Sequence, residues 1–219
     1  DMPLQPDRQA ARAALGLDAE RPVLAVLPGS RRGEVGRLAR PCLQTAVLLQ
    51  RGLADLQVVV PLVSEATRHL FEQERTRTAP HLALVTATGG SRLALAAADV
   101  VLTASGTATL EGLLSKRPMV VGYKLNAATY YAARLFRLVK VEHVAMANLL
   151  AGERLAPELL QGECEPDQLL PPLRRFFENA ALRDEVATRY RDIHLALRMD
   201  TNREAADAVV GLLEGRGLV

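Results

Sequence analysis

The 219-residue chain is 49% hydrophobic and 24% charged, and its 27 Lys and Arg against 25 Asp and Glu leave a formal charge of +2. That composition fits one large globular domain or two small ones of roughly 100–200 residues each, and it excludes a disordered or collagen-like chain. With 4% aromatic residues, no Trp and no basic excess, it favours helices packed on a sheet and gives no footing for a general nucleic-acid surface.

The sequence opens at Asp1, and residues 1–7 read as mid-chain linker, so a piece of a longer protein is expected. Apolar runs rich in Val and Leu follow at 22–28, 56–61, 81–86, 99–104 and 118–123. They are near-continuous rather than alternating, as strands buried on both faces are. Between them, 33–50, 64–78, 91–97 and 107–114 have helical period and read as crossover helices. The alternation predicts an α/β fold, a Rossmann-like parallel sheet flanked by helices, over residues 1–164. Further on, 127–140 reads as an amphipathic helix and 141–146 as a short strand or extended segment. A helical C-terminal tail is expected over 165–219, with helices at 167–179, 180–199 and 201–214 and Pro166 able to open the first. No apolar run reaches the ~18–20 residues of a membrane span. Cys42 and Cys164 fit no metal-ligand spacing, which argues against a zinc module or disulfide scaffold and for a reducing compartment.

Two strand-to-helix turns carry candidate chemistry. The first is Pro28-Gly29-Ser30-Arg31-Arg32-Gly33, at the exit of the first strand. A small Gly-containing turn entering a helix aims backbone N–H groups at the positive end of the helix dipole, where an anion is stabilised. Ser30 can cap the helix or bind phosphate through its hydroxyl, and Arg31 or Arg32 could pair bidentately with phosphate oxygens. The spacing is neither a P-loop nor GxGxxG. By itself this turn fits an ordinary capped helix with surface arginines equally well.

The second turn is Ala104-Ser105-Gly106-Thr107-Ala108, at the exit of the fourth strand. Ser105 and Thr107 are both candidate N-caps, and Gly106 allows close backbone approach to a ligand. Glu111, four residues beyond Thr107, shares its helix face and could accept two hydrogen bonds from a ribose diol, or could be a solvated Glu helped by the dipole. In an open parallel sheet of order 3-2-1-4-5, both turns fall at the switch point where ligands bind. Their coincidence favours a nucleotide or another phosphate ligand.

Leu27-Pro28-Gly29-Ser30-Arg31 with Glu34-Val35, then Ala104-Ser105-Gly106-Thr107-Ala108-Thr109-Leu110-Glu111, then Pro118-Met119-Val120-Val121-Gly122-Tyr123, and Asn148-Leu149-Leu150-Ala151-Gly152 with Glu163-Cys164-Glu165-Pro166, resemble lipid-A-disaccharide synthase in order from about Pro3 to the tail. The likeness covers the C-terminal half of that family. It implies the GT-B glycosyltransferase fold, two Rossmann-like domains around a cleft, with this chain as the UDP-sugar donor-binding half. The implied reaction moves 2,3-diacylglucosamine from its UDP conjugate to 2,3-diacylglucosamine 1-phosphate, giving the β-1,6-linked lipid A disaccharide 1-phosphate and UDP. Gly29, Ser30, Arg31 and the Ser105-Gly106-Thr107 turn would meet the diphosphate and Glu111 the ribose. Gly122 and Tyr123 would lie near the uracil, and Asn148 would face the donor cleft.

No metal or other cofactor is implied, since helix dipoles and cationic side chains can carry the charge of departing UDP. The general base is expected in the other half of the family's length, and none of His69, His81, His143 and His194 stands out for that role. Where members often follow Arg with small residues, this chain has Arg31-Arg32-Gly33, so either arginine could take the phosphate.

In 127–140, Tyr131, Leu135 and Leu138 form an apolar stripe beside Tyr130, Arg134 and Arg137. A core-packed helix with solvated arginines is the preferred account, and an interfacial face for anionic lipid the second. The resemblance implies a cytoplasmic protein held peripherally on the inner face of the bacterial inner membrane, with an acylated glucosamine phosphate acceptor, no nucleic acid, and a possible homodimer bridged by the last helices. The rivals are another UDP-sugar enzyme of the same fold and a non-catalytic nucleotide-binding module.

Overall fold

The near-continuous apolar runs form a six-stranded, all-parallel sheet in the computed structural model, which describes residues 2–88, 90–126, 143–198 and 210–212. Its strands are β1 (Val23–Leu27), β2 (Gln57–Leu62), β3 (Val85–Thr88), β4 (Val100–Ala104), β5 (Met119–Tyr123) and β6 (Glu158–Leu160), in the order β3-β2-β1-β4-β5-β6. The central strands β1 and β4 pair from Leu24↔Val100 to Leu27↔Thr103 and are buried at every position. Helices on both faces leave no polar side to either strand, so Val and Leu can run without alternation.

The helices are α1 (Arg8–Ala14), α2 (Arg32–Gly52), α3 (Glu65–Thr78), α4 (Ser91–Ala97), α5 (Thr107–Leu114), α6 (Met146–Ala151), α7 (Pro166–Glu178) and α8 (Ala180–Leu197). One layer is α3, α2 and α7, and the other contains α1, α4, α5, α6 and α8. Along α2, Val35, Leu38, Ala39, Cys42, Leu43, Ala46 and Leu49 form the buried stripe, each Val or Leu contributing about 1.5–3 kcal/mol of transfer free energy. Pro41 sits inside this helix and removes one backbone bond, while the Thr45 hydroxyl donates to the Pro41 carbonyl at 2.7 Å.

Several expectations shift. The strand expected at 81–86 begins at Val85, because the Leu82 N–H closes a turn onto the Ala79 carbonyl at 3.1 Å. Leu82 is buried by its side chain, and hydrophobic pattern records that burial without the direction of the backbone. Of 141–146, His143–Ala145 is irregular, and Met146 opens α6 instead of ending an extended segment. α1 was not expected. The Asp7 carboxylate caps it, accepting the Ala10 N–H at 2.9 Å.

Within the C-terminal segment, Leu169, Leu173 and Phe176 of α7 are buried against α2 and β5. Val186, Tyr190 and His194 of α8 are buried on the side of α5 and α6. The amphipathic stretch expected at 127–140 lies outside the described residues, as does most of 201–214, of which 210–212 are helical.

Candidate functional site

The carboxyl ends of four strands and the turn into α4 open into one cleft of about 490 Å³. Its walls are Leu27, Gly29, Ser30, Arg31 and Glu34 from β1 and α2, Pro61–Val63 from β2, Gly90 and Ser91 from the entrance to α4, Ala104–Ala108 and Glu111 from β4 and α5, and Tyr123 from β5. This is the place a doubly wound sheet provides for a ligand, since the chain leaves β1 and β4 in opposite directions and the loops part. Both expected turns line it. So do Gly29, Ser30, Arg31, Ser105, Gly106, Thr107, Glu111 and Tyr123 among the expected site residues.

At the β1 exit, Gly29 has φ +121, a conformation that disfavours any side chain. A Cβ there would also come within 2.4 Å of the Glu34 Cβ. Arg31, not Ser30, holds the N-cap position of α2. Glu34 takes over the capping that Ser30 was expected to supply, its Oε2 accepting the N–H groups of Ser30 at 3.0 Å and Arg31 at 3.2 Å. The Arg31 side chain is 85% exposed and stands 3.8 Å from Glu34, whereas Arg32 starts the helix and does not line the cleft. Of the two arginines, Arg31 is the one that lines the cleft.

At the β4 exit, neither Ser105 nor Thr107 is the N-cap of α5. Gly106 takes that position with φ +132. The Thr109 hydroxyl donates to the Gly106 carbonyl at 2.7 Å and accepts the Met146 N–H at 3.0 Å, tying α6 to the turn. Ser105 donates its hydroxyl to the Val144 carbonyl at 2.8 Å, and its N–H bonds the Gly122 carbonyl. Its hydroxyl proton is thus spent, and its lone pairs are what remain for a ligand. The Glu111 carboxylate has neither hydrogen bond nor ion pair among the described residues.

Two expected residues support the cleft from behind. Gly122 is buried inside β5, where a Cβ would meet the Cys164 sulfur at 2.8 Å. Asn148 was expected to face the donor cleft, but it is fully buried and does not line the opening. Its Nδ2 donates to the Ala156 carbonyl at 2.7 Å and to Glu158 Oε1 at 2.9 Å, and its Oδ1 accepts the Ala156 N–H at 2.8 Å. Glu158 in turn accepts the N–H groups of Val144 and Ala145. A buried carboxylate is stable only with such donors, and this one fixes the segment that Ser105 and Thr109 touch.

Glu34 and Glu158 received no role from sequence. Glu34 lies three residues after the N-cap, the spacing of a capping box, which was a usable signal. Glu158 offered none, because its partners are set by the fold.

The histidines divide by burial. His69 and His81 are exposed, and His143 is half-buried outside the cleft walls. His194 is buried at 5% exposure, its Nδ1 2.6 Å from Lys116 Nζ. Burial lowers the Lys116 ammonium to about 8, with repulsion from Arg117 adding to it. No cluster of three or more His, Cys, Asp or Glu suited to a metal occurs among the described residues. No helix among them is long and apolar enough to cross a membrane.

Residues 1–210 match the family model described as lipid-A-disaccharide synthetase. The lipid-A-disaccharide synthase of Xanthomonas oryzae pv. oryzae (strain MAFF 311018) is 46% identical over 217 residues, covering 99% of this chain and 50% of that protein. That of Pectobacterium carotovorum subsp. carotovorum (strain PC1) is 45% identical over 215 residues, covering 98% and 56%. The chain thus spans about half the length of the curated relatives it matches. Among solved structures, WaaG, a glycosyltransferase involved in lipopolysaccharide biosynthesis, superposes with TM-score 0.55 at 19% identity, over 94% of this chain and 51% of that one. The E. coli ADP-heptose lps heptosyltransferase II gives 0.56 at 15% identity, over 82% and 52%. These two likenesses bear on the fold, the parallel sheet of one half of a GT-B glycosyltransferase.

Proposed function

We propose, from the premise that the chain belongs to the lipid-A-disaccharide synthase family, that it is the donor-binding half of a glycosyltransferase of lipid A biosynthesis. The donor is UDP-2,3-diacylglucosamine and the acceptor 2,3-diacylglucosamine 1-phosphate. The acceptor 6-hydroxyl oxygen attacks the donor's anomeric carbon, the bond to UDP breaks with its electron pair leaving on the phosphate, and the hydroxyl proton passes to a general base outside the residues assigned here. The protein works at the inner face of the bacterial inner membrane, where acylated substrates reside, as a peripheral protein. A homodimer bridged by the C-terminal helices belongs to the same proposal.

What this half contributes is binding and charge. The N-termini of α2 and α5 converge on the cleft, and first-turn N–H groups have no intrahelical acceptor. Two helix dipoles and the exposed Arg31 guanidinium would stabilise the negative charge that collects on departing UDP, in place of a metal. Glu111 would take the ribose diol, and Tyr123 and Gly122 would border the base. Asn148 would hold the fold behind the cleft wall rather than touch the donor.

The observation that carries the reading is the unpaired Glu111 facing the Arg31 turn across one cleft at the switch point. Calorimetry with UDP tests it. Arg31→Ala and Glu111→Ala should each weaken UDP binding about tenfold or more, the loss of one charge-assisted contact. Unchanged affinity in both variants would remove the assignment.

A further inference from the structure

The carboxylate of Glu34 already occupies the position at the β1 exit where a phosphate would sit. Its Oε2 accepts from the N–H groups of Ser30 and Arg31, the two donors a phosphate oxygen would seek at the start of α2. The side chain lines the cleft and is 24% exposed, so it lies between the open cavity and those donors. Gly29 makes this possible, since any Cβ at that position would collide with Glu34. The only described ion pair of the Arg31 guanidinium is the 3.8 Å contact with the same carboxylate.

We propose that Glu34 is a positioning residue that holds the phosphate site in the absence of nucleotide and is displaced by a nucleoside diphosphate, so that it sets how strongly the cleft prefers phosphate over the bare nucleoside. The proposal rests on the nucleotide-binding reading above. Two anions cannot accept the same pair of N–H groups, and in a partly desolvated cleft they repel. A diphosphate entering the site therefore pushes Glu34 toward solvent and inherits both N–H donors together with Arg31. A neutral nucleoside has no such leverage and leaves Glu34 in place. The arrangement keeps two donors satisfied and the α2 N-terminus capped when the cleft is empty.

The test is calorimetry of the chain with UDP, UMP and uridine, on the parent, Glu34→Gln and Glu34→Asp, with thermal melting of each. Glu34→Gln keeps an acceptor for the turn but removes the charge. Its expected signature is UDP binding about tenfold tighter, UMP by less, and uridine unchanged. Glu34→Asp keeps the charge on a shorter stem that reaches the two N–H groups less well, and should fall between parent and Gln. A purely structural Glu34 would lower the melting temperature and weaken all three ligands together in either variant, and that result overturns the proposal. So does UDP binding unchanged in Gln while the parent binds both UDP and uridine. If parent and variants bind none of the three, the nucleotide reading itself fails and this inference falls with it.

Discussion

At the two ends of the parallel sheet, Arg12, Asp99 and Arg117 on one side and Arg31 and Glu111 on the other are treated in opposite ways. At the amino end, Asp99 accepts the Val23 N–H at 2.8 Å, an Arg12 N–H at 2.8 Å and a further bond from Arg8. Arg12 is 1% exposed and donates three further bonds to the carbonyls of Ala97, Ala19 and Arg21. Arg117 donates to the carbonyls of Leu95 and Ala96, and burial brings its guanidinium down to about 10. At the carboxyl end, Arg31 is exposed with one loose partner and Glu111 has none. Charges spent on the chain hold the fold, and charges left over are available to a ligand.

Breaking the satisfied end should cost the most. Arg12→Ala strips Asp99 of a buried partner and leaves carbonyls unmet, so about 3–5 kcal/mol of stability should vanish in urea titration. A loss under 1 kcal/mol would mean that water replaces the guanidinium and that the two ends do not differ in kind.

Asn148→Leu sits between the extremes, removing three buried bonds, one of them a donor to Glu158. About 2–3 kcal/mol of destabilisation is expected. UDP affinity, measured at a temperature where the variant remains folded, should change little, because Asn148 lies behind the cleft wall. Affinity lost in full with stability intact would instead put Asn148 on the ligand.

At the unspent end the signature reverses. Arg31→Ala and Glu111→Ala should leave stability within about 0.5 kcal/mol of the parent while UDP binding weakens. Equal losses of stability would erase the contrast between the ends.

The smallest effect is a pH dependence at Lys116. Between the native value near 8 and the ordinary lysine value of 10.5, the unfolded chain holds a proton that the native chain has released. Stability supplied by this group therefore rises with pH across that window. Lowering of His194 by its burial and by Lys116 adds a rise of the same sign at lower pH. Comparing parent with Lys116→Met from pH 7.5 to pH 10, the parent should gain on the variant as pH increases. A constant difference would show that the ammonium stays charged throughout. Lys116 is partly open to solvent, so screening trims the effect.

Residue pattern alone was enough for five strands, the third of them displaced by a few residues, and for both polar turns, while the order β3-β2-β1-β4-β5 followed from the doubly wound fold and the family from a resemblance of ordered motifs. Burial on two faces writes itself into sequence as uninterrupted Val and Leu, and a Gly turn before a helix is local chemistry. The short β6 was not visible, because three residues carrying a charged Glu158 have no periodicity to read. Nor was the division of labour at the turns, where Gly106 rather than a hydroxyl caps α5 and Glu34 rather than Ser30 caps the entrance to α2. Only the tertiary structure decided that Asn148 is spent on Glu158 and Ala156 while Glu111 is left open. Whether a polar group is satisfied depends on partners such as Val144 or Asp99, brought near by packing across long stretches of chain, and no spacing along the sequence encodes that meeting.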